Sequence, residues 1–391
     1  MEELGIAATE DRLAGSDAER RAARALASAL RAQGREVRTR TFWVRPEWAA
    51  PQALCAAAGV AASVLSVSHH VAAVALAGAA LVLAVLDTTR FALLRRLTMS
   101  RATQNVIAGP AQTSAPVTLI VTAAVDRPRG GVLRRIPVPL LWHALALALV
   151  TGFAVARLLG AGGTALGIGQ LIPTAVLVLA TGAFTEVALG DAAGDDDSAP
   201  VAALRVARAL AQAPPRRLAV EVVLAGAGGA HALGLARFVR AERRRRHAEE
   251  VAVLHIEPCA GGDPVWWTHD GLLFPQRLHP TLTGLAKRAA AEESYLRARP
   301  LRGPADTGAR PARGAGWPAL AVGARGPGGR SGEEAVDATV ELCLAVIARL
   351  DRELGASAAP APAPRTSPAP PGSEGTPGSP PARAAGPSGS A

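Results

Sequence analysis

Four long apolar runs, arranged as two pairs, interrupt this sequence and limit what it can fold into. The first two runs, of about 17 residues each, lie within residues 51–88. At roughly 1.5 Å per residue, a helix of that length only just crosses the hydrocarbon core of a bilayer. The other two runs, within residues 138–190, are longer. We therefore predict two transmembrane helical hairpins, with buried helices of a soluble domain as the alternative.

The sequence outside these pairs has the pattern of an α/β domain. Residues 115–126 form a nearly continuous apolar run of the kind found in a buried parallel strand. From residue 199 onward, short apolar runs alternate with amphipathic segments, so predicted strands alternate with predicted helices. This alternation favours an α/β fold with a mostly parallel sheet sandwiched by helices, interrupted here by the two hairpins.

The predicted organisation has an α/β domain in three segments, two hairpins between them, and a C-terminal tail. The tail is rich in Ala, Pro, Ser and Gly and has almost no large apolar side chains. Such a segment cannot offset the entropy of ordering, so we expect it to be disordered. The boundaries are residues 1–50, 89–137 and 191–355 for the α/β domain, 51–88 and 138–190 for the hairpins, and 356–391 for the tail.

Arginine placement predicts the orientation in the membrane. The formal net charge is +10, and arginines cluster at the domain-side ends of both hairpins, whereas the turn at Ser68–His70 has none. By the positive-inside rule, the α/β domain and both termini then lie in the cytoplasm of a plasma-membrane protein with four transmembrane helices. The predicted partners are the lipid bilayer and a possible peptide or protein. Nucleic acid is not expected, because the run Arg243–Arg246 is typical of a solvated helix end.

A clear helix start lies at Ser16. Glu19 follows three residues later, which is the spacing of a capping box, and Gly34 supplies a stop. Ala22, Leu26 and Leu30 share one face of the helix between them.

The order of the soluble segments resembles the M28 family of zinc-dependent aminopeptidases. In particular, the segment "EVVLAGAGGAHALGLARFV" is similar to the family's strand, paired-glutamate turn and helix. The resemblance implies the fold of a zinc exopeptidase, with the hairpins inserted between its elements. The similar segments, in chain order, are residues 12–37, 103–109, 117–126, 194–211, 221–239 and 314–323.

The resemblance also implies where the chemistry of the family would lie. Its members hold two zinc ions bridged by an aspartate, with further histidine and carboxylate ligands, and a glutamate takes a proton from the bound water. By position, the retained carboxylates are Asp126, Asp196 at the bridging position, and Glu257 at a later ligand position. The lost positions are Ala124 and Ala309 for two histidines, Gly228 for the general base, and Gly229 for a ligand.

The losses predict a protein without catalytic or metal-binding residues. Glycine has no side chain, so neither role at the paired-glutamate turn can be filled there. The two carboxylates kept at ligand positions, Asp196 and Glu257, would hold zinc poorly, because affinity depends on the number and type of ligands. The prediction is therefore a pseudoenzyme without cofactor, a membrane-anchored module for binding or scaffolding.

Two other functions stay open. One is an active membrane-bound metallo-aminopeptidase, or a related hydrolase, that holds zinc in a rearranged site. The other is a transport or channel component, although no charged residue lies near the middle of the apolar runs to suggest an ion path. The residues of the rearranged site would be Asp126, Asp196, His255, Glu257 and Asp306.

The remaining polar residues near these positions have simpler interpretations. His231 is expected as a polar residue at a helix start, and His255 as a buried histidine with its hydrogen bonds satisfied. Asp195 and Asp197 are interpreted as solvated charges of a loop. Trp266 and Trp267 would either line a cleft or cover the edge of the sheet.

Overall fold

The prediction of an α/β fold with a central sheet between helices is confirmed. The structure, a computed structural model, describes residues 11–88, 92–110, 115–136, 138–193, 196–271, 275–303, 305–326 and 329–357. The strands are β1 (Val37–Val44), β2 (Arg101–Ala108), β3 (Val117–Ala124), β4 (Leu218–Ala225), β5 (Val251–Ile256), β6 (Asp263–Trp267), β7 (His269–Asp270), β8 (Gln276–Arg277), β9 (Arg299–Leu301) and β10 (Ala319–Arg325).

The described residues also form ten α-helices. They are α1 (Asp17–Ala32), α2 (Ala49–Leu65), α3 (His70–Asp87), α4 (Pro139–Leu158), α5 (Thr164–Leu189), α6 (Ser198–Gln212), α7 (Leu233–Glu242), α8 (Pro280–Glu292), α9 (Arg310–Gly314) and α10 (Gly332–Ser357). The predicted disordered tail, residues 356–391, lies outside the described residues from residue 358 onward.

In the main sheet the strand order is β1-β2-β4-β3-β5-β10-β6-β9. The four central strands β4, β3, β5 and β10 run parallel to their neighbours within that group. On one side of this group, β2 pairs antiparallel with β4, and β1 pairs antiparallel with β2. On the other side, β6 pairs antiparallel with β10, and β9 pairs parallel with β6. The sheet is therefore mixed, with a parallel centre, and the short hairpin β7–β8 lies outside it.

Helices cover both faces of the sheet. Alternate residues of β3 point to opposite faces, so Leu119 and Val121 pack with α1, α6, α8 and α10, whereas Ile120 packs with α7 and α9. The twin tryptophans divide in the same way, Trp266 into the first core and Trp267 into the second. They are buried near the edge of the sheet, beside its last strand β9.

The four apolar runs form one bundle of four helices, α2 to α5. Helix α2 packs on α3 and α5, and α4 packs on α3 and α5. Three helices, α3, α4 and α5, are long and apolar enough to cross a membrane, whereas α2 is shorter, with 17 residues. Four transmembrane spans therefore remain a prediction.

Small residues fill the inside of this bundle and large apolar residues cover its outside. Its core is rich in alanine, and Gly59 lets α2 approach within contact distance of Leu147 and Leu177. Leu171, Ile172 and Leu179 of α5 are 65%, 70% and 74% exposed. This is the reverse of a water-soluble bundle, and it is typical of helices that pack within lipid.

The base of the bundle contacts the α/β domain through Trp48, which immediately precedes α2. The Trp48 ring lies edge-on to Phe184 of α5, with centroids 6.1 Å apart, and to His231 of the α/β domain, with centroids 5.3 Å apart. Arg129 adds to the junction by pairing with Glu47 and donating to the carbonyl of Gly190. The bundle is thus attached beside the carboxyl ends of the central strands.

Candidate functional site

A cavity of about 170 Å³ lies where the carboxyl ends of β3, β4 and β5 meet. Loops that follow parallel strands converge at this edge of a sheet, which is where ligand sites of α/β proteins occur. Nearly all residues singled out from the sequence lie here. The cavity is lined by Ala124, Asp126, Asp196, Gly228, Gly229 and Glu257, together with His231, His255 and Asp306. We call it the strand-end pocket. Ala309 is buried at the start of α9, just after the lining residue Gly308.

The turn that follows β4 and contains Gly228 and Gly229 packs tightly against residues 124–128, the end of β3 and the segment after it. We call it the closed glycine turn. A Cβ atom at Gly228 would overlap the side chain of Ala124 and stand 3.0 Å from its Cα. A Cβ atom at Gly229 would stand 2.7 Å from the backbone nitrogen of Pro128 and 2.8 Å from its Cα. Protein Cβ atoms essentially never come that close to other heavy atoms. The backbone thus leaves no room for any side chain at the two positions.

Amide groups of this turn bind two buried carboxylates. The N–H groups of Gly228 and Gly229 donate to the two oxygens of Asp126, the second at 3.1 Å. The N–H of Ala227 donates at 2.8 Å to Glu19, which also accepts from Thr103. Burial and the nearby Glu19 carboxylate raise the pKa of Asp126 well above its usual range. Asp126 therefore serves to fix the turn.

Asp196 and Asp197 are both engaged by protein groups. Asp196 accepts from the backbone N–H of Ser198 at 3.0 Å and from its hydroxyl, which fixes the start of α6. Asp197 pairs with Arg12 and, at 2.8 Å, with Arg127. The prediction that Asp197 is a solvated loop charge is wrong: Asp197 and both arginines are buried. Asp195 lies outside the described residues.

Glu257 and His255 lie on the opposite wall of the pocket. Glu257 accepts from the N–H of Gly308 at 2.7 Å, and its nearer oxygen lies 3.6 Å from Nε2 of His255. The His255 ring packs directly on Gly308, where a Cβ atom would overlap it. Burial raises the pKa of Glu257 to about 7 and lowers the pKa of His255 to about 4. Near neutral pH, the histidine is thus uncharged.

His231 pairs with Asp306 across the mouth of the pocket. Nδ1 of His231 hydrogen-bonds to one oxygen of Asp306, and Arg310 approaches the other oxygen at 3.2 Å. Burial alone would raise the pKa of Asp306, but His231, Arg310 and Arg95 outweigh it and lower the pKa to about 2. The structure therefore places His231 at the start of α7, as predicted, but uses it to hold an ionised carboxylate.

The residues of the pocket do not fit a zinc site. Among the residues that the structure describes, no group of three or more His, Cys, Asp or Glu side chains is placed to hold a metal ion. Each carboxylate instead has a protein partner: turn amides for Asp126, Ser198 for Asp196, Gly308 for Glu257, and His231 for Asp306. A catalytic zinc site needs about three converging protein ligands and an open position.

Sequence reasoning missed three residues of the site. The ion pairs of Arg12 and Arg127 with Asp197 join positions 185 and 70 residues apart, so no local sequence pattern records them. The spacing from Ser16 predicts that Glu19 belongs to a capping box. The structure confirms that Ser16 accepts from the N–H of Glu19, but the Glu19 carboxylate reaches Ala227 at the glycine turn. A buried carboxylate in a first helical turn gives no sequence signal that separates it from a cap.

Comparison with known proteins gives similar solved structures only. No family model matches the sequence, and no curated protein matches it. A zinc aminopeptidase from Bacillus subtilis is 10% identical, with a TM-score of 0.47 over 89% of this chain and 92% of that one. A leucine aminopeptidase precursor from Bacteroides thetaiotaomicron is 11% identical, with a TM-score of 0.49 over 89% and 93%. Glutaminyl cyclase from Porphyromonas gingivalis is 12% identical, with a TM-score of 0.45 over 91% and 95%. Similarity at this level carries no information about chemistry.

Replacing Glu257 with glutamine is expected to change how stability depends on pH. The folded-state pKa of Glu257, about 7, lies above its ordinary value of 4.5. The protonated group contributes stability below pH 4.5, and this contribution is lost as the pH rises through 7. Glu257→Gln cannot ionise, so its stability relative to the parent should grow by about 3 kcal/mol across this range. Chemical unfolding at several pH values measures the difference.

The variant Glu334→Gln provides the matched control, because Glu334 is exposed on α10. His255, whose pKa is lowered, contributes the opposite slope in parent and variant alike and so cancels from the comparison. Parallel stability curves for Glu257→Gln and the parent would contradict the raised pKa.

Proposed function

We propose that this chain is a membrane-anchored, metal-free protein whose α/β domain binds a peptide or protein partner without hydrolysing it. The observation that carries the proposal is the closed glycine turn. At Gly228 and Gly229, where the resemblance to zinc aminopeptidases would require a general base and a metal ligand, neighbouring atoms occupy the space of a side chain. The absence of both side chains is thus matched by the packing of the backbone, which leaves no space for a glutamate at either position.

The carboxylates near the turn support the same proposal. Asp126 is satisfied by two amides of the turn, and Asp197 by two arginines. A metal ligand must present lone pairs to an ion, whereas these oxygens are directed at N–H donors. The pocket remains a cavity with polar walls beside the base of the bundle, and it supplies the concave surface that a binding module needs.

The composition of the helical bundle supports the anchoring. The bundle is alanine-rich inside and covered by leucine, isoleucine and valine outside. In water it would expose a large contiguous apolar surface, which soluble proteins rarely do. In a bilayer the same surface faces lipid. Arginines at the base of the bundle favour the orientation in which the α/β domain is cytoplasmic.

A second candidate is an active metallohydrolase with a rearranged site. One observation favours it: Asp126, Asp196, His255, Glu257 and Asp306 all line the strand-end pocket. Carboxylates with a raised pKa in a cavity are often catalytic, and Glu257 is such a group. Activity would require these side chains to exchange their present partners for zinc.

Metal content separates the two candidates. The full chain, purified in detergent, incubated with zinc and dialysed, is expected to retain only trace zinc and to release no product from aminoacyl reporter substrates. Stoichiometric zinc that persists through dialysis, is lost in Asp196→Ala and is kept in the surface control Asp191→Ala would overturn the metal-free proposal. Hydrolysis of the reporters that depends on the same residue would establish the second candidate.

A further inference from the structure

A second, larger cavity lies at the base of the helical bundle, on the face of the sheet covered by α7. Its volume is about 470 Å³. The end of β1, the short 3₁₀ helix Leu94–Leu97 that follows α3, and α7 contribute its walls. Its charged and aromatic lining residues are Arg45, Arg95, Arg96, Arg237, Arg240 and Trp43. We call this cavity the arginine groove. It is separate from the strand-end pocket and shares none of its lining residues.

The arginine groove carries uncompensated positive charge. Among its lining residues in the described parts of the chain, five are arginines and none is acidic. Arg95 is buried and pairs with Asp87 at 3.3 Å, so its charge is balanced. Arg45 donates to the carbonyl of Thr98 and Arg237 to that of Trp43, which orients both guanidinium groups without neutralising them. Arg96 and Arg240 are exposed, and no ion pair forms with either in the described residues.

Exposed apolar side chains lie in and next to the groove. Trp43, which lines the groove, is 64% exposed, and Leu97 and Met99, next in sequence to the lining residues Arg96 and Ser100, are more than 80% exposed. Isolated exposed apolar residues are common, but here they stand next to the exposed arginines and adjoin a helix apolar enough to span a bilayer. Tryptophan beside arginine at the end of a spanning helix is the arrangement found at the headgroup level of a membrane.

We propose that the arginine groove binds the headgroup of an anionic phospholipid from the leaflet that faces the α/β domain. The inference rests on the proposed membrane anchoring. A guanidinium group forms paired hydrogen bonds with phosphate oxygens, and four unneutralised arginines favour a headgroup with net negative charge over a zwitterionic one. The exposed Trp43, Leu97 and Met99 lie where the glycerol and upper acyl chain of such a lipid would be. Basic cavities beside spanning helices are sites of this kind.

The test measures melting of the full chain in detergent micelles doped with phosphatidylglycerol or with phosphatidylcholine. A ligand that binds the folded state raises the melting temperature in a concentration-dependent manner. We expect phosphatidylglycerol to stabilise the parent and phosphatidylcholine to have little effect. The double variant Arg96→Gln with Arg240→Gln should need on the order of thirtyfold more phosphatidylglycerol for the same shift, because each interfacial arginine contributes about fivefold.

The matched control is Arg208→Gln with Arg216→Gln, which removes the same charge at exposed positions on α6 and in the loop after it. The control should respond to phosphatidylglycerol as the parent does. If both double variants lost the stabilisation by phosphatidylglycerol to the same extent, the effect would depend on net charge alone, and the proposed headgroup site would be wrong. An unchanged response of Arg96→Gln with Arg240→Gln would overturn the site as well.

Inorganic phosphate, added at matched concentration, distinguishes a lipid site from a site for free anions. Equal stabilisation by phosphate and phosphatidylglycerol would overturn the lipid assignment. Extraction of native membranes with alkaline carbonate tests the anchoring by itself. Release of the chain by carbonate would refute the anchoring, whereas the micelle measurement reports on the headgroup site alone, so the two failures can be told apart.

Discussion

The double variant Gly228→Glu with Gly229→Glu is expected to destabilise the α/β domain by roughly 4–6 kcal/mol, and not to create a metal site. Its first new side chain would overlap Ala124, and its second would press on the backbone of Pro128. Both would also bring carboxylates next to Asp126, whose pKa is already raised by burial and by Glu19. The melting temperature of the solubilised chain should fall by roughly 10–20 °C.

Two single variants separate crowding from charge. Gly229→Ala adds only a methyl group against the Pro128 backbone and should cost roughly 1–3 kcal/mol. Gly314→Ala is the control, because a Cβ atom there meets nothing within 4 Å and the backbone has no left-handed φ. A double variant that melts with the parent and binds zinc would show that the turn can open. That result would refute both the closed turn and the metal-free proposal.

Removal of the Asp197 carboxylate is expected to cost about 3–5 kcal/mol of folding free energy. Arg12, Arg127 and Asp197 are all less than a tenth exposed, so Asp197→Ala takes away a carboxylate that both buried guanidinium groups contact. Chemical unfolding of the solubilised chain measures the loss. Because Asp197 connects the start of α6 to the segment after β3, the damage should centre on the strand-end pocket.

Asp17→Ala is the control for this prediction. Asp17 also pairs with an arginine, Arg20, but on the exposed surface of α1, where such a pair is worth less than about 1 kcal/mol. If Asp197→Ala proved as mild as Asp17→Ala, the buried pairing described here would be wrong. Asp197 would then be the solvated loop charge that its sequence context indicates.

Regular patterns in the sequence were sufficient to predict several elements of the fold. The strand over residues 117–124 lies within a nearly continuous apolar run, and the helix that begins after Ser16 has both a cap and an apolar face. Pairing across the sheet is different, because strands adjacent in space are distant in sequence. That β2 lies antiparallel between β1 and β4 depends on contacts between residues 57–71 positions apart for β1 and 114–118 positions apart for β4, which no local periodicity records.

The candidate site was predictable in position but not in its contacts. The place of Asp126, Gly228, Gly229 and Glu257 at one edge of the sheet follows from the order of strands and turns. What the turn does with its amides depends on how closely the Ala124–Pro128 segment approaches it. The close contact between the turn and this segment depends on how the backbone packs. The two adjacent glycines in the sequence indicate only that such a contact is sterically possible.

The placement of the two helix pairs bears on how this protein is made. Strand β1 pairs with β2, and β3 with β4, but α2–α3 separates the first two strands in the chain and α4–α5 separates the second two. During synthesis, β1 can therefore pair with β2 only after α2 and α3 have been synthesised. If those helices enter the bilayer as they leave the ribosome, biogenesis at the membrane surface precedes completion of the sheet. Membrane insertion of the helices would then take place before the α/β domain has folded.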